Sequence, residues 1–116
     1  MNIIDEEKLV EKITDAADDK KALDIKVLKL GNISRIADFL VICSGESSVQ
    51  LEAIASHIED KLQKGSGRKC SREGAAKSGW LILDAGSIVI HVMSPEQRDY
   101  YDLEGLWGKD AVIFHY

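Results

Sequence analysis

The chain has 116 residues, 45% hydrophobic and 30% charged, with a formal net charge of −5 from 15 Lys and Arg against 20 Asp and Glu. This length suits a single domain with one core, and the composition excludes a disordered chain. No apolar run reaches the ~20 residues of a membrane span, two cysteines (Cys43 and Cys70) are too few for a disulfide framework, and an acidic balance argues against binding that rests mainly on nucleic-acid phosphates.

Residues 4–20 read as an amphipathic helix. Leu9, Val10, Ile13, Ala16 and Ala17 form its apolar stripe, and acids at its start and lysines at its end suit the helix dipole. These first residues are acidic and resemble neither a signal nor a transit peptide, so a cytoplasmic protein is expected. Leu23 to Leu30 reads as a strand with one wet face, its phase slipping at Leu28. Gly31 to Arg35 is a predicted turn. Phe39 to Cys43 is apolar without alternation, which predicts a strand covered on both faces. Ser47 and Gln50 form a capping box for a second helix, whose buried side is Leu51, Ile54, Ala55, Ile58 and Leu62. Gly65-Ser66-Gly67 ends it.

Arg68 to Arg72 is a candidate short strand, followed by a loop over residues 73–79. Trp80 to Asp84 and Ile88 to Met93 flank Ala85-Gly86-Ser87 as a hairpin. Ser94, Pro95 and Gln97 start a short third helix, which Gly105 and Gly108 limit. The tail 109–116 is apolar enough to dock, but on an unspecified surface. The expected architecture is therefore α/β, one mixed sheet flanked by helices. It is read as one domain over 1–116: an N-terminal helix (1–22), a core (23–107) and a tail (108–116).

Charge is uneven along the chain. Residues 61–77 carry six bases and one acid, whereas residues 1–22 carry seven acids and four bases. The basic stretch reads first as a solvated loop and helix end, with an RNA contact as the sharper alternative. No catalyst emerges. The Ser44–Ser48 turn between a strand and a helix lacks the P-loop lysine and the Gly-x-Gly-x-x-Gly spacing. Nucleotidyltransferases follow such a turn with paired carboxylates, and here only Asp84 is available, too few for a magnesium pair. His57, His91 and His115 lack metal-ligand spacing, so no metal and no cofactor are expected. Cys43 reads as a buried, inert thiol. Between residues 80 and 107 lie Trp80, Asp84, His91, Arg98, Tyr100, Tyr101, Glu104 and Trp107, types that often anchor interfaces. Trp107 and one of the two tyrosines read as core. Trp80 reads as partly exposed.

Asp38 to Gly45, Glu73-Gly74, Trp80 to Gly86, Val89 to Met93 and Arg98 to Trp107 resemble the ribosomal silencing factor family, also called Iojap-like. The resemblance runs over about residues 4–107. It implies a nucleotidyltransferase-like α/β fold without a known catalytic role. It also implies binding to the large ribosomal subunit at ribosomal protein L fourteen. A factor there obstructs the small subunit and represses translation, typically when nutrients are scarce. A minor contact with ribosomal RNA and a homodimer are further expectations. The matching contact residues are Glu73, Trp80, Asp84, His91, Arg98 and Tyr101. The chain departs from the usual pattern at Gly79, where a charged residue is common, and at Gly105, where a helix former is common. The alternatives are a diverged nucleotidyltransferase-like enzyme and an RNA-binding module using residues 61–77.

Overall fold

A computed structural model of the protein describes residues 3–30, 37–108 and 112–115, with side chains for 6–30 and 37–107. The chain runs α1 (Ile3–Asp19), β1 (Leu23–Lys29), β2 (Phe39–Ser44), α2 (Ser48–Ser66), β3 (Ser71–Ala75), β4 (Trp80–Asp84), β5 (Ile88–Met93), α3 (Pro95–Tyr101), α4 (Leu103–Gly108) and β6 (Val112–His115). The strands form one mixed sheet in the order β3-β4-β5-β2-β1-β6. Among the described residues, only β2 and β5 pair in parallel. The predicted turn at Gly31 to Arg35 falls outside the described residues.

Alternation along each strand divides the sheet into two faces. Val27, Phe39, Val41, Cys43, Leu83 and Ile90 point to the first face, where α1 and α2 bury Ile13, Ala17, Ile54 and Ile58 against them. The helix stripes are those read from the sequence, and their residues are buried. On the second face Leu28, Leu40, Ile42 and Met93 form a smaller core, closed by Leu103 and Trp107. β2 is therefore buried throughout, as its unbroken apolar run requires.

Several expectations shift. β1 is not wet on one side, because Leu28 is fully buried beneath the second-face cluster. Its irregularity lies between Leu23 and Lys26, where Asp24 adopts a left-handed φ of 48°, and not at Leu28. The strand after α2 starts at Ser71 and takes in Glu73, Gly74 and Ala75, residues the sequence reading leaves in a loop. Arg68 is not in that strand. Its guanidinium donates to buried Glu6 at 3.1 Å and to the Ala85 carbonyl at 3.0 Å, which ties the connection to α1 and the hairpin. The last helix breaks at Asp102 (φ 44°), three residues before Gly105. The apolar tail supplies β6, which pairs antiparallel with β1.

Local chemistry fixes the helix starts. Ser47 Oγ accepts the Gln50 N–H at 3.1 Å and Ser94 Oγ accepts the Gln97 N–H at 3.2 Å. The return bond of the first box goes one residue earlier than a capping box requires: Gln50 Oε1 accepts the Glu46 N–H at 2.8 Å. Gly79, unusual for the resemblance, sits at φ 80°, where an L side chain is strained and a Cβ would press on the Ser94 hydroxyl. Its carbonyl also accepts the Ser94 N–H at 2.8 Å, so this glycine holds the β3–β4 connection tightly against the start of α3. Gly74 is held as firmly. At φ 83° its missing Cβ leaves room for the Trp80 carbonyl across the β3–β4 pair. We predict that Gly74→Ala destabilises the protein by about 1–3 kcal/mol through backbone strain. Urea unfolding checks this, and an unchanged midpoint contradicts it.

Candidate functional site

The two halves of the second sheet face differ. α4 lies over the β1–β2 half through Leu103 and Trp107. On the β3–β4–β5 half, Trp80, Ile82, Val89 and His91 are only half-buried. Directly paired residues share a face, and Glu73 pairs with Ile82, Ile82 with His91, and Asp84 with Val89. Glu73, Trp80, Asp84 and His91, four of the six contact residues inferred from the resemblance, thus stand on one open surface.

Four aromatic rings meet there: Trp80, His91, Tyr101 and Tyr100. The Trp80 indole Nε1–H donates to His91 Nδ1 at 2.9 Å. Tyr101 at the end of α3 lies against the indole, ring centroids 4.7 Å apart and tilted 48°. Tyr100 meets Tyr101 edge-on at 5.0 Å. An indole nitrogen can only donate, so His91 Nδ1 carries the lone pair and its proton sits on Nε2. Burial pushes the His91 imidazole down to about 4, which keeps it neutral near pH 7. Trp80 is partly exposed, as expected. Neither tyrosine is core, however: Tyr100 is 81% exposed and Tyr101 50%. An exposed cluster of this kind marks a contact surface more readily than a fold requirement.

Arg98 has a different place. It is only 8% exposed, beneath α3 and not on the open face. Its Nε donates to Glu104 at 2.8 Å, and Nη1 donates to the Ser44 hydroxyl at 3.0 Å and reaches the Leu23 carbonyl at 3.5 Å. Nη2 lies 3.5 Å from the Asp24 carboxylate. Glu104 also takes Lys26 Nζ at 2.9 Å. Burial works to raise the Glu104 carboxyl, but hydrogen bonds from Arg98 and Lys26 outweigh it, and its pKa falls below the ordinary carboxylate value. Arg98 therefore joins α3 and α4 to the ends of β1 and β2. Asp84 is exposed, and one of its oxygens accepts the Gly86 N–H at 2.9 Å in the hairpin turn.

Elsewhere the chemistry is structural. Burial pushes the Cys43 thiol up to about 12, which leaves it unreactive. Among the described residues no group of three or more His, Cys, Asp or Glu could hold a metal ion. In the basic stretch, Lys64 pairs with Asp60, Arg68 with Glu6, and Arg72 with Glu52 and Glu59. Three of its six cations thus already meet carboxylates within the fold.

Sequence reasoning missed Ile82 and Val89, which floor the open face, and Lys26, which completes the Arg98–Glu104 network. The period-two run Trp80, Ile82, Asp84 carried the signal for the first. Nothing local signalled the Lys26 contact, because 78 residues separate it from Glu104.

The comparisons with known proteins follow the same lines. Residues 4–114 match the family model described as "Ribosomal silencing factor during starvation". The chain is 42% identical over 104 residues to the ribosomal silencing factor RsfS of Zymomonas mobilis, covering 90% of this chain and 78% of that one. It is 41% identical to the RsfS of Bacillus subtilis, covering 88% and 87%. A crystal structure of a Chromobacterium violaceum protein superimposes with a TM-score of 0.84 at 34% identity, covering 93% of this chain and 88% of that one.

Two outcomes follow from this geometry. Arg98→Met takes from Glu104 one of its two cationic partners, leaving only Lys26, and removes the donor to the buried Ser44 hydroxyl; it lowers stability by about 3 kcal/mol, measured by denaturant unfolding, and a change within error contradicts the assigned network. His91 is neutral in the fold, so the unfolded chain gains a proton near pH 6.5 that the folded chain refuses until about pH 4. The stability that neutral His91 contributes is complete above that upper value and is lost as pH falls through the window. His91→Asn should therefore lose less stability than the wild type between about pH 7 and about pH 4.5. Equal losses would contradict a neutral buried imidazole.

Proposed function

The chain belongs to the family of ribosomal silencing factors, and from that premise we propose that it binds the large ribosomal subunit at ribosomal protein L fourteen. Bound there, it blocks the small subunit and represses translation when nutrients are limiting. The observation that carries this reading is the open half-face of β3–β4–β5, where an aromatic plate of Trp80 and Tyr101 lies among exposed acids. Aromatic anchors of this kind dominate protein interfaces. Glu73 and Asp84 are exposed on the same face, and the formal charge of the chain is −5. Ribosomal proteins are generally basic, so this charge steers the protein to them and away from bare phosphates.

In this reading Glu73, Trp80, Asp84 and Tyr101 meet the partner on the open face, and His91 belongs to the same set through its hydrogen bond to the Trp80 indole. Arg98 serves that set from beneath, by seating α3. Lys61, Lys69 and Lys77 are exposed and supply the minor contact with neighbouring ribosomal RNA. The protein works as a cytoplasmic binding module of one domain, without cofactor or catalysis, and two copies can pair. Its nucleotidyltransferase-like character is confined to architecture: a strand, the Ser44–Ser48 turn and a helix, without paired carboxylates on the following strands. No helix among the described residues is long and apolar enough to cross a membrane, in keeping with this role.

Trp80→Ala tests the reading. It should weaken binding to isolated large subunits by about 2 kcal/mol or more, the loss expected of an interface anchor. Co-sedimentation with purified large subunits measures it, and unchanged co-pelleting removes Trp80 from the interface.

A further inference from the structure

We propose that His91 is a positioning residue, which locks the Trp80 indole as a preset anchor and acts on the partner through that ring. This rests on the reading of the open face as the ribosome contact.

The geometry leads there in three steps. Trp80 opens β4 immediately after the left-handed Gly79 and is half-buried against the second-face core. A half-buried indole with an unsatisfied N–H would exchange between orientations to reach water. His91, one strand away on β5, removes that freedom. Its Nδ1 accepts the indole N–H at 2.9 Å, and Tyr101 closes the other side at 4.7 Å.

His91 is itself held. Ile82 and Ile42 are its direct cross-strand partners on β4 and β2 and share its face, so the imidazole stands between two branched apolar side chains. Those neighbours restrict its rotation, and burial favours the neutral form whose Nδ1 can accept. With Nδ1 spent on Trp80 and its flanks on isoleucine, the ring's one remaining polar group is the Nε2–H donor. What it delivers is order: an anchor already in its bound orientation loses less entropy on association, and the gain appears mainly as slower dissociation.

Two variants separate this role from a merely structural one. In His91→Asn the side-chain oxygen can stand where Nδ1 stood and accept the indole proton. His91→Leu fills similar space without an acceptor. With the indole nitrogen labelled, NMR should show the Trp80 N–H of His91→Leu exchanging with water about tenfold faster than in the wild type. Dissociation of that variant from large subunits should also be about tenfold faster. His91→Asn should restore both. If His91→Leu fails to fold, His91→Val replaces it, since valine suits a strand and has no acceptor.

The proposal is overturned if His91→Leu dissociates at the wild-type rate while its indole exchanges faster. It is equally overturned if His91→Asn keeps the indole protected and still dissociates as fast as His91→Leu, because His91 then touches the partner itself. Indole exchange is read on the free protein. A failure of Trp80→Ala to weaken ribosome binding is therefore distinguishable from a failure of His91 to hold the ring.

Discussion

A guanidinium that is 8% exposed must find its partners inside the protein, and Arg98 finds them on three separate elements. Glu104 comes from α4, the Ser44 hydroxyl from the end of β2, and the Leu23 carbonyl and Asp24 from the start of β1. Burying a charge is costly unless it is paired and hydrogen-bonded, so these elements cannot part without stranding it. The pairing decides where α3 and α4 lie. With α4 drawn over β1 and β2, Leu103 and Trp107 close the smaller core. With α3 anchored at Arg98, Tyr101 three residues later meets Trp80. The other half of that sheet face is left open.

That asymmetry separates the two roles of the sheet. Its first face is packed by two long amphipathic helices and carries the stability. Its second face is half core and half display surface. The displayed half combines a large aromatic area with internal contacts, since Trp80 is bonded to His91 and lies tilted against Tyr101. Rigid aromatic area offers binding energy at small entropic cost. The surrounding acids add attraction for a basic partner, and the internal pairing of Lys64, Arg68 and Arg72 reduces the positive patch that RNA would need.

Local pattern made much of this architecture legible. The stripes of α1 and α2, the unbroken apolar β2, the hairpin and the Ser94-Pro95 helix start each express a rule that operates within a few residues. Errors arose where a distant contact overrides the local signal. Leu28 falls out of phase with a one-sided strand because its face meets Trp107 and its neighbours, not water. Glu73 to Ala75 have poor strand character, yet pairing with Trp80 to Ile82 makes them a strand. Asp102 breaks the last helix ahead of Gly105, and its carboxylate then accepts the Gly105 N–H at 3.1 Å, a place where a Cβ would collide with it. The aromatic members of the site were visible in composition. The burial of Arg98 was not, because its partners Leu23, Asp24 and Ser44 lie far back in the chain.

The central claim is that this surface occupies the large subunit so as to exclude the small one. Subunit reassociation measures that directly: purified large and small subunits are mixed with increasing protein, and the intact ribosome fraction is read on a sucrose gradient. The account predicts that this fraction falls with added protein while the protein sediments with the large subunit. Undiminished reassociation at several-fold excess would contradict it.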